Sequence, residues 1–153
     1  MEAVCRSILG ILCEFLSDSA IDWRHEDDGS IYITSLDFNF WIMPSSEGMG
    51  VEFYTYWPFC DGVRSDEALS FANECNLAAP MVQFSVSSCL TRLAGHYALY
   101  VSGNLDRRSF TVSVRKFAET FAAAMNGPNA YLLAIEFEPQ QKSAFSTTAS
   151  TTH

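Results

Sequence analysis

Basic residues are scarce in this chain. Nine Lys and Arg face eighteen Asp and Glu, for a net charge of −9. The deficit lies in residues 1–75, with fourteen acids against three arginines; residues 76–153 carry four acids against six bases. Such a surface repels phosphate backbones and anionic headgroups, so neither nucleic acid nor membrane is an expected partner. A basic or neutral peptide suits the acidic half better. The acidity also keeps an aromatic-rich chain in solution. Charge of either sign is low, at 18%. That is thin cover for a monomer and points to a second buried surface, a homo-oligomer interface.

Reactive chemistry is scarce too. The chain has no GxGxxG, P-loop, GxSxG or HExxH pattern. Gly48-Met49-Gly50 precedes a strand pattern, so no helix N-terminus faces an anion there. Only His25 and His96 lie outside the C-terminal segment. A zinc site needs three or four ligands at recognisable spacing. His25-Glu26-Asp27-Asp28 has suitable donors, but at a hairpin tip where carboxylates are solvated. The five cysteines form no CxxC pair and are odd in number, against a secreted disulfide framework. Cys60 reads as the most exposed, and Asp61 beside it disfavours a thiolate. Cys5, Cys13, Cys75 and Cys89 read as small core residues. No catalytic residue, cofactor or metal is expected. The first fifteen residues, MEAVCRSILGILCEF, fit neither a signal peptide nor a membrane span, because Arg6, Ser7 and Glu14 interrupt the apolar run. The expected compartment is the cytoplasm.

What the chain has is apolar surface. Of 153 residues 48% are hydrophobic and 14% aromatic, enough for one domain with a sizeable core. That domain is expected over 1–138, followed by a polar, low-complexity, disordered tail over 139–153. Val4, Ile8, Ile11, Leu12 and Phe15 share one face of a helix over 3–17. Leu9 and Leu16 widen the stripe to about 160°, so this helix is expected to touch two things.

Residues 21–60 read as strands. Asp27-Asp28-Gly29-Ser30 is a hairpin turn. Leu36, Phe38, Phe40 and Ile42 alternate with Asp37, Asn39, Trp41 and Met43. After a loop over 44–50, Val51, Phe53, Thr55 and Trp57 alternate with Glu52, Tyr54 and Tyr56. The meander has one buried face. The other carries Trp41, Tyr54 and Tyr56, rich in rings for a solvated face.

A second helix starts with Ser65 as its N-cap and Asp66 and Glu67 in its first turn. Pro80 ends it by pushing Ala79 out of the helical region. Strands over 81–88 and 96–102 follow, with Arg92 to Gly95 as their loop. A third helix spans 105–125, its core stripe being Phe110, Val114, Phe117 and Phe121. Asn126-Gly127-Pro128-Asn129 breaks it, and Tyr131–Phe137 is a short strand or a docked segment. Arg107 and Arg108 fall in the first turn of this helix, where the dipole disfavours cations by a few tenths to ~1 kcal/mol. Arg108 and Arg115 lie about 150° from the core stripe. They form either a solvated back or a docking ridge for an acidic partner.

The order is α-β-β-β-α-β-β-α. Across Asp66–Met125, "FANECN", "MVQFSV", "HYALYVSG" and "FTVSVRKFAETFAAAM" resemble the YbjN family of bacterial sensory-transduction regulators. That family shares the fold of type III secretion chaperones. The resemblance implies an α+β domain: a twisted antiparallel sheet of about five strands, helices on one side, in a homodimer. Secretion chaperones of that fold receive extended effector segments on their surface. The expected function is therefore a non-enzymatic module that docks a protein or peptide, with Trp41, Tyr54, Tyr56, Trp57, Arg108 and Arg115 as contact residues. The alternative is a small-molecule sensor with a pocket between helices and sheet.

Overall fold

The computed structural model describes residues 2–45, 50–100 and 105–134, with backbone alone for residues 2–7. The elements are α1 (Glu2–Asp18), β1 (Trp23–His25), β2 (Ile31–Ile33), β3 (Phe40–Pro44) and β4 (Gly50–Pro58). They continue as α2 (Ser65–Ala78), β5 (Gln83–Val86), β6 (Arg92–Tyr100), α3 (Arg107–Met125) and a 3₁₀ turn (Ala130–Leu132). The strands form one antiparallel sheet in the order β1-β2-β3-β4-β6-β5.

The sheet has six strands where the alternation suggested about five. The reason is a change of parity. Ile31 and Ile33 are odd-numbered, whereas Phe38, Phe40 and Ile42 are even, yet all five are buried. One straight strand sends odd and even positions to opposite faces. The chain therefore turns between 34 and 39, and β2 and β3 pair back to back as a hairpin, Ile31 opposite Ile42.

Ile31, Ile33, Phe40, Ile42, Val51, Phe53 and Leu93 line the buried face. Leu12 and Leu16 of α1 and the stripe Phe110, Val114, Phe117 and Phe121 of α3 cover it. The Phe53 ring lies 6.1 Å from Phe110 and 5.8 Å from Phe117. Each fully buried side chain of this size contributes ~1.5–3 kcal/mol, so α3 is held by its stripe. As its width required, α1 contacts both the sheet and α3, Phe15 meeting Phe110 at 6.2 Å. Ile11 is an exception to the expected stripe and stays 40% exposed.

Beside β5, α2 closes the layer. The Asn76 carboxamide donates to the Phe84 carbonyl at 2.9 Å and accepts from the Phe84 N–H at 2.7 Å. β5 is an edge strand, so the two groups in the middle of its outer rim are satisfied by one side chain. On its inner side Phe84 faces Gly95. A Cβ at Gly95 would lie 2.4 Å from Phe121 Cε2. The glycine is thus required by the ring that covers it, and backbone freedom is not the reason.

Two boundaries differ from the sequence pattern. Ser65 is the first helical residue of α2 and Arg64 is the N-cap. An arginine side chain has no lone pair to offer, so the start is held by Glu67, whose carboxylate accepts from the Arg64 N–H at 3.1 Å. The β5–β6 loop is residues 87–91, and Arg92–Gly95 belong to β6, which pairs with the whole of β4. Ser87 makes that turn early: its hydroxyl accepts from the N–H groups of Thr91 and Arg92 at 3.2 and 3.1 Å. Of Tyr131–Phe137, Leu133 is buried and bridges Phe59. The expected tail over 139–153 lies outside the described residues. No described helix is long and apolar enough to cross a membrane.

Arg107 is accounted for by a neighbour. It sits 2.8 Å from Asp18 at the last residue of α1, and its guanidinium lies 5.3 Å from the Phe15 ring centre. The end of α1 favours a cation as much as the start of α3 disfavours one. Asp106 caps α3, accepting from Ser109 N–H at 2.7 Å, and those bonds hold its carboxyl below the usual range.

Candidate functional site: the open face of the sheet

Alternation sends Arg24, Tyr32, Trp41, Tyr54 and His96 to the face opposite the helices. The register sets them in one row across the strands: Arg24 beside Tyr32, Tyr32 beside Trp41, Trp41 beside Tyr54, Tyr54 beside His96. Tyr56 lies diagonal to Trp41, within reach of large rings. Tyr32 and Trp41 meet at 4.9 Å, Trp41 and Tyr54 at 5.2 Å, and Trp41 and Tyr56 at 5.5 Å with planes only 9° apart. The stack is capped at both ends. Arg24 lies 4.6 Å from the Tyr32 ring centre, and Arg92 lies 4.6 Å from that of Tyr56.

This geometry determines what the face can contact. Ring faces already occupied by neighbouring rings and guanidinium groups cannot sandwich an incoming base or ligand ring. What remains outward is ring edges, hydroxyls and the flanks of Trp41 and Tyr54, a flat and rigid strip. Each stacked pair adds ~0.5–1.5 kcal/mol beyond burial and each cation cap ~0.5–1 kcal/mol, so the strip is ordered before any partner arrives. Partial burial, then Tyr56 and Asp28, push the Tyr54 hydroxyl pKa up, so it stays protonated and able to donate. Charge on this face is mixed: Arg24 is bonded to Glu26 at 2.6 Å, and His96 Nε2 lies 3.6 Å from Glu52.

Trp41, Tyr54 and Tyr56 come together as the pattern suggested; the other expected contacts do not join them. Trp57 is on the helix side, packed 5.4 Å from Phe38 at the rim of the core. Its odd position among Val51, Phe53 and Thr55 dictates that. Arg115 does not point away from its neighbours, because its guanidinium donates to the Ser19 carbonyl at 3.1 Å just past α1. Arg108 is exposed on α3. Tyr32, Arg24 and Arg92 were missed, although Tyr32 between Ile31 and Ile33 carried the parity signal.

The thiols also depart from expectation. Cys89 is exposed in the 87–91 turn. Hydrogen bonds from Ser87 and then Thr91 lower its pKa to about 7. Cys60 is half-buried. Cys75 is buried as expected, and burial followed by the charge of Glu74 pushes it up to about 11. Cys13 is half-buried, its Sγ 3.8 Å from His25 Nε2, and burial raises its pKa.

No family model matches the sequence, and no curated protein does. Among solved structures, the chain is similar to YbjN from E. coli, described as a candidate transcription regulator. The TM-score is 0.68 at 16% identity, over 82% of this chain and 93% of that one. It is also similar to an uncharacterized protein from Methanothermobacter thermautotrophicus, with a TM-score of 0.57 at 9% identity, over 76% and 92%. At such identities the likeness concerns the backbone: this chain has a YbjN-like α+β fold.

Proposed function

We propose that this protein is a non-enzymatic docking module that binds a protein partner on the open face of its sheet. One observation carries the reading: a packed Tyr32–Trp41–Tyr56 strip, its last two rings stacked and its ends capped by two arginines, on a face that no described helix covers. Tyr and Trp supply contact area with little rotamer entropy to lose. Mixed local charge sets register, while the acidic N-terminal half steers the encounter toward basic or neutral surfaces. A role in regulation fits both this surface and the description attached to YbjN. Among the described residues, His25 has the Cys13 thiol, whose pKa burial raises, as its partner, and His96 has Glu52 on the exposed sheet face.

The test compares the full chain with Trp41→Ser/Tyr56→Ser as immobilised bait in host extract, with melting curves to verify folding. Partners that bind the open face disappear from the variant. Equal capture by both baits refutes the reading. Sedimentation from 1 to 100 µM reports whether the partner is a second copy.

A further inference from the structure

The structure holds a second site, separate from the open face and sharing no residue with it. The C-terminal halves of α2 and α3 both line a groove of about 490 Å³. That volume lies within the range of small-molecule sites. Its walls are made by small residues: Ala78 and Ala79 on one side, Ala123, Ala124 and Gly127 on the other. Phe71 and Cys75 also line it, and both are buried. Pro80 and Pro128 stop the two helices near the groove, and Met81 is left 48% exposed beside it.

Its polar lining is one-signed. Glu74 and Glu119 line the groove, and among the described residues no Lys, Arg or His does. Glu74 is held from across the groove by the Asn129 amide, which ties α2 to the turn after α3. Its negative charge is felt inside, since it helps raise the Cys75 thiol. Glu119 is bonded to Lys116 at 2.6 Å, but both groups are more than half exposed, where such a pair is weak. An apolar slot edged by two carboxylates excludes anions and leaves neutral apolar molecules without a partner for the rim.

We infer that this groove binds a small amphipathic cation, an apolar body with an amine or ammonium head placed at Glu74 and Glu119. The tail replaces water against the alanines and Phe71, and the head completes the charge at the rim. This inference does not depend on the docking function of the open face.

The probe is n-octylammonium, with n-octanoate and n-hexylammonium as comparisons. Binding to the ¹⁵N-labelled full chain is followed through the amides of Ala78, Ala79, Ala123 and Ala124. Octylammonium shifts these amides saturably. Hexylammonium binds about 15-fold more weakly, which is two methylenes at ~0.8 kcal/mol each. Octanoate binds at least tenfold more weakly than octylammonium. Ala78→Leu and Ala123→Leu, both at exposed helix positions, fill the slot and abolish the shifts. Glu74→Gln/Glu119→Gln erases the preference for the cation while alkyl-length dependence remains. The inference is overturned if octylammonium leaves these amides unmoved, if octanoate binds equally, or if the leucine variants bind as before. Concentration-dependent association that Ala123→Leu removes would make the groove a contact between copies and overturn it as well.

Discussion

Gly95→Ala is the sharpest test of how the core is layered. A methyl group at Gly95 would lie 2.4 and 2.5 Å from two carbons of Phe121. Ordinary carbon contacts begin near 3.5 Å, so the ring or the strand must give by about 1.1 Å. The ring has little room, being fully buried, 4.4 Å from Phe38 and 5.4 Å from Phe84 between centres. Overpacking of this kind costs ~1–3 kcal/mol. Against it stands the gain of replacing glycine in a strand, ~0.5–1 kcal/mol through the unfolded chain. The expected net loss is about 1–2 kcal/mol, a fall in Tm of about 2–8 °C. Urea unfolding of Gly95→Ala, Phe121→Leu and the double variant measures it. Because leucine vacates the space the methyl needs, the double variant loses at least ~1 kcal/mol less than the two single losses added. Unchanged stability in Gly95→Ala, or strict additivity, would refute the assignment of Gly95 to a ring-imposed packing role.

Other expectations follow from single contacts. Asn76→Ala strips both hydrogen bonds from Phe84 and costs ~2–3 kcal/mol in urea unfolding; a loss under ~0.5 kcal/mol means water replaces the amide without penalty. A brief iodoacetamide pulse read by peptide mass spectrometry labels Cys89 before Cys75. Cys89 is chiefly thiol below pH 7 and thiolate above it, so its rate rises to a plateau above about pH 7, whereas Cys75, near 11, gains only at high pH. Equal labelling of the two at pH 7.5 counters the geometry of the 87–91 turn. Arg107→Ala costs under ~1 kcal/mol, as suits an exposed pair, and the deficit shrinks in 1 M salt; a deficit independent of salt assigns Arg107 to packing on Phe15 instead.

Element order and the helix-facing stripes were legible because period 2 and period 3.6 are written locally. Phe110, Val114, Phe117 and Phe121 could hardly face anything but a core. The ring-rich second face was legible for the same reason. Register is a non-local fact, which explains the misses. Nothing in the local sequence says that Trp41 stands beside Tyr32, or that Arg92 reaches the face of Tyr56. Arg115 seemed outward because distance from its own helix stripe takes no account of α1 lying alongside. Cys89 seemed a core residue because its neighbours are small, while the Ser87 turn that exposes it depends on a side chain folding back onto the backbone. The groove between α2 and α3 left only a faint trace, alanines near the ends of two helices that each stop at a proline.

The side chain that plugs β5 makes the two margins of the sheet unequal. Beyond β1, among the described residues, no strand lies and no side chain bonds the outer rim as Asn76 does that of β5. A lamina that can be extended on one side alone may be joined once, margin to margin, and then has nowhere left to grow. Runaway stacking into fibres needs two free margins per molecule, and here one carboxamide blocks pairing at the middle of one of them.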